Sequence, residues 1–313
     1  MAFVQTPGNP EPQGIEELAM EGRGGVPLRM AIAPALGSPR GSVILCSGRT
    51  EFIEKYFEIM RELQARGFVV FTMDWRGQGL SGRETKNRLK GHLVTIDDAA
   101  ADLAEALKLH SARLPRPHIV LAHSMGGGIA LRALQTHAIE ADGAVFSAPM
   151  WGIARLGGGA KGFSRLMTAM GMGHLFAPGV QTRIVAEDFK DNPVTHDETR
   201  HARCQALVAA EPRLALAGPT FAWIAAASDA IEGFVKRDAL SHLQIPIVVL
   251  SGSQEKLVDN RSHKKVTARL PNAERRVIEG ARHEIMMETD DIRAQFWAAF
   301  DAVADRAAPR GAA

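Results

Sequence analysis

Only two cysteines, Cys46 and Cys204, occur among the 313 residues, too few for a disulfide framework or a four-cysteine metal site. No cluster of His and Cys shows zinc spacing. No apolar run approaches the roughly 20 residues needed to span a bilayer. The segment Met1 to Gly14 has no basic stretch leading into an apolar one, so no leader peptide is expected; with Pro7, Pro10 and Pro12 it reads as a flexible arm. Neither sign of charge dominates: 37 Lys+Arg against 35 Asp+Glu leave a formal net charge of +2, which provides no footprint for nucleic acid. Gly77, Gly79 and Gly82 do not form a nucleotide loop, because the G-x-x-x-x-G-K-[ST] pattern is missing and the spacing is not a dinucleotide fingerprint. What is present is 46% hydrophobic and 23% charged residues, an ordinary globular composition. A soluble, reduced, cytoplasmic chain is expected.

Short apolar runs alternate with segments of helical period. Pro27–Ala33, Ser42–Cys46, Phe68–Met73, His118–Ala122, Ala144–Phe146, Ile247–Leu250 and Arg275–Ile278 read as strands. Phe52–Arg66, Asp97–His110, Met125–His137, Ser262–Leu270 and Asp290–Val303 read as helices. Such alternation implies parallel strands joined by right-handed crossovers, an α/β fold with a mostly parallel, doubly wound sheet. The pattern is interrupted between Pro149 and Leu243. There no strand is convincing, two helices are expected at Glu198–Ala210 and Thr220–Val235, and Gly157-Gly-Gly159 reads as a hinge or loop. The expected organisation is an arm over 1–14, a core over 15–149 and 244–313, and a helical lid inserted over 150–243.

The most informative stretch is His118-Ile-Val-Leu-Ala-His-Ser-Met-Gly-Gly-Gly128. A buried strand ends, Ser124 follows between His123 and Met125, glycines come at once, and a helix starts. A turn this tight strains the serine backbone and tolerates only small neighbours. It exposes the hydroxyl at the strand's C-terminal end, with the Met125 N–H aimed at the same space, where a helix N-terminus favours negative charge.

A serine hydroxyl needs a histidine to take its proton and a carboxylate to hold that histidine. On such a fold the chain order is serine, acid, histidine. Glu279-Gly-Ala-Arg-His-Glu284 follows the last strand and places His283 at the C-terminal edge of the sheet. His242 precedes a strand, at its wrong end, and His263 lies in the first turn of a helix. The acid should follow Ile247–Leu250, in Ser251-Gly-Ser-Gln-Glu-Lys-Leu-Val-Asp259. Glu255, nearer the strand end, is favoured over Asp259, which starts the next helix and suits an N-cap. Neither cysteine neighbours an activating histidine, so a thiol nucleophile is not expected.

These residues resemble the α/β-hydrolase family, and within it the serine hydrolases of the bacterial lysophospholipase and monoacylglycerol lipase group. Ile44-Leu-Cys-Ser-Gly-Arg-Thr-Glu51 is similar to the oxyanion loop, in the Gly-Arg-x-Glu form of bacterial lysophospholipases. Asp74-Trp-Arg-Gly-Gln-Gly-Leu-Ser81 is similar to the Asp-x-Arg-Gly-x-Gly-x-Ser loop. His123-Ser-Met-Gly-Gly127, Ser147-Ala-Pro149, Gly252–Asn260 and Gly280–Glu284 complete a likeness spanning roughly Pro27 to Val303. The resemblance implies Ser124 as nucleophile, His283 as base, Glu255 as acid, and the backbone N–H groups of Arg49 and Met125 as the oxyanion hole, with no cofactor. Three positions depart from the family's pattern: Ser47 stands for a histidine, Ala122 for a glycine and Glu255 for an aspartate.

The implied activity is hydrolysis of a lipid-like ester, a lysophospholipid or a monoacylglycerol. The alternatives are an acyltransferase or hydrolase of another small substrate, and a binding protein on the same fold that has lost catalysis. Trp151, Leu156, Phe163, Leu166, Met167, Met170, Met172, Leu175 and Phe176 in the lid suit an acyl channel, simple packing on the core, or contact with a membrane interface. The Arg49 side chain suits either a structural pair with Glu51 or another carboxylate, or a bond to a substrate phosphate.

Overall fold

A computed structural model describes residues 3–154, 156–184 and 188–309; positions 1–2 of the arm, 155 and 185–187 of the insertion, and 310–313 lie outside the described residues. The strands are β1 (Glu16–Gly22), β2 (Val26–Ala33), β3 (Gly41–Cys46), β4 (Phe68–Met73), β5 (His118–His123), β6 (Gly143–Ser147), β7 (Ile247–Gly252) and β8 (Ala273–Ile278). The helices are α1 (Phe57–Ala65), α2 (Ile96–Leu109), α3 (Ser124–Gln135), α4 (Gly158–Ala169), α5 (Glu198–Ala210), α6 (Phe221–Phe234), α7 (Asn260–Thr267) and α8 (Asp290–Ala307).

One eight-stranded sheet has the order β1-β2-β4-β3-β5-β6-β7-β8. β2 runs antiparallel to both β1 and β4, and every other pairing is parallel. The architecture is that of the α/β-hydrolase fold. β3 and β4 are buried along their whole length and β5 at all but its first residue, because helices cover both faces of a parallel sheet and leave no side to water. α2 packs beside α3, where Arg132 Nη2 donates to Asp97 at 3.0 Å. α1 meets α8 through Arg66, whose Nε donates to Asp301 at 3.0 Å while its guanidinium sits over the Trp297 ring.

The structure adds two elements. β1 is an edge strand of alternating exposure, EELAMEG, whose acidic residues mask its period; it is held by antiparallel pairing to β2. α4 begins at Gly158 and Gly159, poor helix formers, and its sequence reads as a loop. Tertiary contacts with α6 make it a helix: Phe163 lies edge-on to Phe221, and Arg165 donates to Asp229 and Glu232 at 2.8 and 2.7 Å. The described part of the N-terminal arm is tied down, contrary to the flexible segment its prolines suggest. Phe3 is buried edge-on to Phe57, and the Asn9 side chain donates to the Glu54 carbonyl at 2.9 Å. No helix among the described residues is long and apolar enough to cross a membrane.

Candidate active site

β5 delivers His123 and then Ser124, whose φ of +47° is a left-handed backbone that serine rarely adopts. The chain reverses there into α3, and the turn closes because the next residues are small. A Cβ on Gly126 would lie 2.4 Å from the carbonyl oxygens of Cys46 and Ser47, so the start of α3 presses directly on the end of β3. Ala122, paired with Cys46 in the parallel ladder, is extended and fully buried. The strain therefore falls at Ser124, and an alanine at residue 122 is accommodated.

The loops after β7 and β8 bring the other two groups to this hydroxyl. His283 Nε2 lies 3.0 Å from Ser124 Oγ, and His283 Nδ1 lies 2.7 Å from Glu255 Oε2. A carboxylate can only accept, so Nδ1 carries the proton and Nε2 is left to receive that of the serine. The other oxygen of Glu255 accepts from the N–H groups of Leu257 and Val258 at 2.6 and 3.2 Å. Burial pushes the Glu255 carboxyl up, but the His283 hydrogen bond and charge and the two amides outweigh it and hold it below the ordinary value. Asp259 instead caps α7, accepting from the Arg261 N–H at 2.9 Å. The two loops approach backbone to backbone at Gly252, where a Cβ would sit 2.5 Å from the carbonyls of Ala281 and Arg282. On the far side of His283, the buried Glu288 accepts from the Arg282 N–H at 2.8 Å and from His196 of the insertion.

The other candidates are engaged elsewhere. His263 is buried with Nε2 2.7 Å from the Pro149 carbonyl and Nδ1 2.8 Å from Ser251 Oγ, and burial lowers its pKa to about 4. His242 stacks on His137 and bonds the Leu134 carbonyl, at the opposite end of β7 from the loop that carries Glu255. Burial pushes the Cys46 thiol up to about 12 and Cys204 to about 11, so neither is a thiolate near neutrality.

Two motif residues build the loop Ser47–Glu51: Glu51, which the sequence offered only as a partner for Arg49, and Gln78, to which it gave no role. Glu51 is buried; its carboxylate accepts from the Gly48 N–H, from Tyr56 Oη at 2.6 Å and from Lys55 Nζ at 2.8 Å. Lys55 bridges on to Glu284, beside His283, at 2.6 Å. Burial pushes the Glu51 carboxyl up, but Lys55, His123 and Tyr56 more than offset it and hold it below the ordinary value. Gln78 clamps the same loop by donating to the Gly48 carbonyl at 2.7 Å and accepting from the Thr50 N–H at 3.3 Å, while Trp75 Nε1 donates to the Ser47 carbonyl at 2.8 Å. The N–H groups of Arg49 and Met125 have no acceptor among the described residues. Glu51 and Gln78 stand in the two loop motifs, which was the available signal; their pairing is a tertiary fact.

Over Ser124 lies a pocket of about 240 Å³ with an apolar wall of Met150, Ile153, Val194, Trp223, Leu257 and Val258. None of the lid residues weighed for an acyl channel lines this pocket: Phe163 and Leu166 of α4 and Met170 just after it are exposed, and Trp151 is packed in the core. Trp223 of α6 had no signal in the sequence as a pocket residue. It is placed by packing, with its indole N–H 3.3 Å from Met125 Sδ.

A family model described as serine aminopeptidase, S33, matches residues 37–290. The chain is 33% identical over 266 residues to the probable lysophospholipase L2 of Haemophilus influenzae, covering 81% of this chain and 80% of that protein. It is 32% identical over 271 residues to lysophospholipase L2 of Escherichia coli K12, covering 80% and 76%. A solved structure of a soluble variant of monoglyceride lipase from Saccharomyces cerevisiae, bound to a substrate analogue, has a TM-score of 0.73 at 20% identity and covers 97% of this chain and 98% of that one. At that identity the likeness is one of fold.

Proposed function

The chain belongs to the serine aminopeptidase S33 family, and from that premise we propose that it is a serine hydrolase cleaving carboxylic esters of lipid-like substrates through an acyl-enzyme. One observation carries the reading: an unbroken relay of 3.0 and 2.7 Å from Ser124 through His283 to Glu255. In this reading Ser124 Oγ attacks the ester carbonyl as His283 Nε2 takes its proton, and Glu255 holds the imidazole in the required tautomer and stabilises its positive form. The free N–H groups of Arg49 and Met125 receive the developing oxyanion; losing one such donor typically costs about 100- to 1000-fold in rate. The alcohol leaves with the proton returned by His283, and a water activated by the same residue frees the acid.

Lysophospholipid or monoacylglycerol is the proposed substrate. The lysophospholipases L2 of two bacteria, similar over about four-fifths of the chain, support it, and so does the apolar wall above Ser124. A peptide substrate would call for a free carboxylate to hold an α-amino group. The two carboxylates at the pocket, Glu51 and Glu284, both pair with Lys55. Contact with a lipid surface belongs to the same proposal, since an exposed apolar face such as Phe163 and Leu166 on α4 with Met170 at its C-terminal end partitions into a headgroup layer.

Replacing Ser124 with Ala should abolish hydrolysis of lysophosphatidylcholine, monoacylglycerol and p-nitrophenyl esters while the melting temperature is retained. A fluorophosphonate probe should label the wild type and not the variant. Turnover that survives in Ser124→Ala, or a wild type inert to the probe, refutes the scheme.

A further inference from the structure

Arg49 carries a charge that no described carboxylate balances. Glu51, the partner its position suggests, is taken by Lys55, Tyr56 and the Gly48 N–H. Among the described residues the Arg49 guanidinium donates only to the Ala217 carbonyl, at 2.6 Å, and rests 5.4 Å over the Trp223 ring. Its Nε is buried with no acceptor among the described residues. Burial alone draws its pKa down to about 10. Arg49 as a whole is half-buried, but its Nε is kept from water, and a desolvated guanidinium nitrogen without an acceptor is costly.

This side chain stands in the wall shared by two cavities. One is the pocket over Ser124. The other, about 350 Å³, lies between the Arg49–Thr50 loop, α5 and the segment Ala215–Gly218. Lys55 and Glu284 in its wall neutralise each other at 2.6 Å. Arg49 is left with the exposed Arg183, so among the described residues the cavity presents an excess of cationic donors.

We propose that this second cavity receives a phosphate carried by the leaving alcohol of the ester, and that Arg49 is the residue that selects for it. The proposal rests on the hydrolase reading above and adds a preference to it. The covalent geometry fits. In a glycerol ester the path from the ester oxygen to a phosphorus on the far carbon crosses as many bonds as the path from an arginine Cα to its Cζ, roughly 6 Å in either case. A residue whose main-chain N–H holds the carbonyl oxygen therefore carries its guanidinium at the range of that phosphate. The phosphate supplies the counter-ion that Arg49 lacks, and the planar guanidinium meets it with paired charge-assisted hydrogen bonds. A neutral glycerol leaving group supplies neither.

The test compares wild type, Arg49→Gln and Arg49→Lys on lysophosphatidylcholine and on a monoacylglycerol of the same acyl chain. In parallel, hydrolysis of p-nitrophenyl butyrate is challenged with glycerophosphocholine, glycerol and inorganic phosphate. Arg49→Gln should lower the lysophospholipid-to-monoacylglycerol ratio of kcat/KM by about 10- to 100-fold, the worth of a charged hydrogen bond. Arg49→Lys should fall between, since an ammonium keeps the charge without the fork. Glycerophosphocholine should compete in the wild type better than glycerol or inorganic phosphate, and lose that advantage in Arg49→Gln. Equal losses on both lipids overturn the proposal, as does inorganic phosphate competing better than glycerophosphocholine, which would mark a site for the free anion. Should Arg49→Gln fail to fold, the wild-type competition series decides: no advantage of glycerophosphocholine over glycerol sinks the idea. A wild type that hydrolyses none of these esters refutes the hydrolase reading itself; turnover with an unchanged ratio refutes only the phosphate site.

Discussion

At the scale of single residues, the two carboxylates that compete for the role of triad acid differ in what they touch. Glu255 spends one oxygen on His283 and the other on two loop amides, whereas Asp259 spends its own on the first turn of α7. Glu255→Gln keeps the size but offers an amide where Nδ1–H needs an acceptor. It should lower kcat by about 10,000-fold, as loss of the orienting acid does in triads. Asp259→Ala should leave kcat unchanged and cost about 1 kcal/mol of stability, the worth of an N-cap. Steady-state kinetics with urea titrations check both, and a severe kcat loss in Asp259→Ala alone would reverse the assignment. Ser124 belongs to the same scale: its positive φ is a local cost that the flanking strand and helix impose, and it presents Oγ to His283.

At the scale of elements, the turn between β5 and α3 works because α3 starts against the end of β3. Gly126 is the contact point, and its missing side chain lets two backbones meet. Gly126→Ala forces a methyl against the carbonyls of Cys46 and Ser47, at the start of the loop proposed to hold the oxyanion. The expected result is a loss of roughly 1–3 kcal/mol, as in other overpacked sites, together with a fall in kcat, because Ser47 and Gly48 shift with the strand end. Thermal melting and kinetics on one ester read both; a variant as stable and active as the wild type would show that the turn can open without penalty. α4 makes the opposite point. Its glycines argue against a helix in isolation, and only the face it shares with α6 overrides them.

At the scale of the molecule, the insertion is fastened to the core by charge. Arg200 of α5 grips Glu58 of α1 with two bonds of 2.9 and 2.7 Å, Arg203 adds a third at 2.7 Å, and Arg200 also reaches the Glu288 carbonyl after the His283 loop. Burial pushes the Glu58 carboxyl up, but Arg200, Arg203 and Arg293 outweigh it and bring it to about 2, against an ordinary 4.5. A carboxyl depressed in the fold stabilises above its unfolded pKa and loses that contribution as pH falls through its folded value. Stability should therefore decline from about pH 4.5 down to about pH 2. Glu58→Gln should be less stable than the wild type by about 2 kcal/mol at pH 7, and the gap should narrow as the solution is acidified. Urea midpoints across that range test it; a gap independent of pH would mean that Glu58 acts by packing and not by charge.

Periodicity and turn chemistry along the chain were enough for the parallel core, for Ser124 at the end of a buried strand, and for His283 and a carboxylate after the last two parallel strands. These are local patterns: runs of apolar residues, glycines at a tight turn, and the chain order of loops at one sheet edge. The edge strand β1, the helix α4 and the docked arm were not legible. Their stability comes from partners far away in sequence, and their own residues are acidic, glycine-rich or proline-rich. The same reason hid the work of Glu51 and Gln78, whose motif positions are plain but whose partners are not. The sequence left Arg49 with two partners to choose between, a carboxylate or a phosphate. Only the folded chain, by giving Glu51 to Lys55, leaves that guanidinium in the wall of a cavity without a carboxylate partner among the described residues.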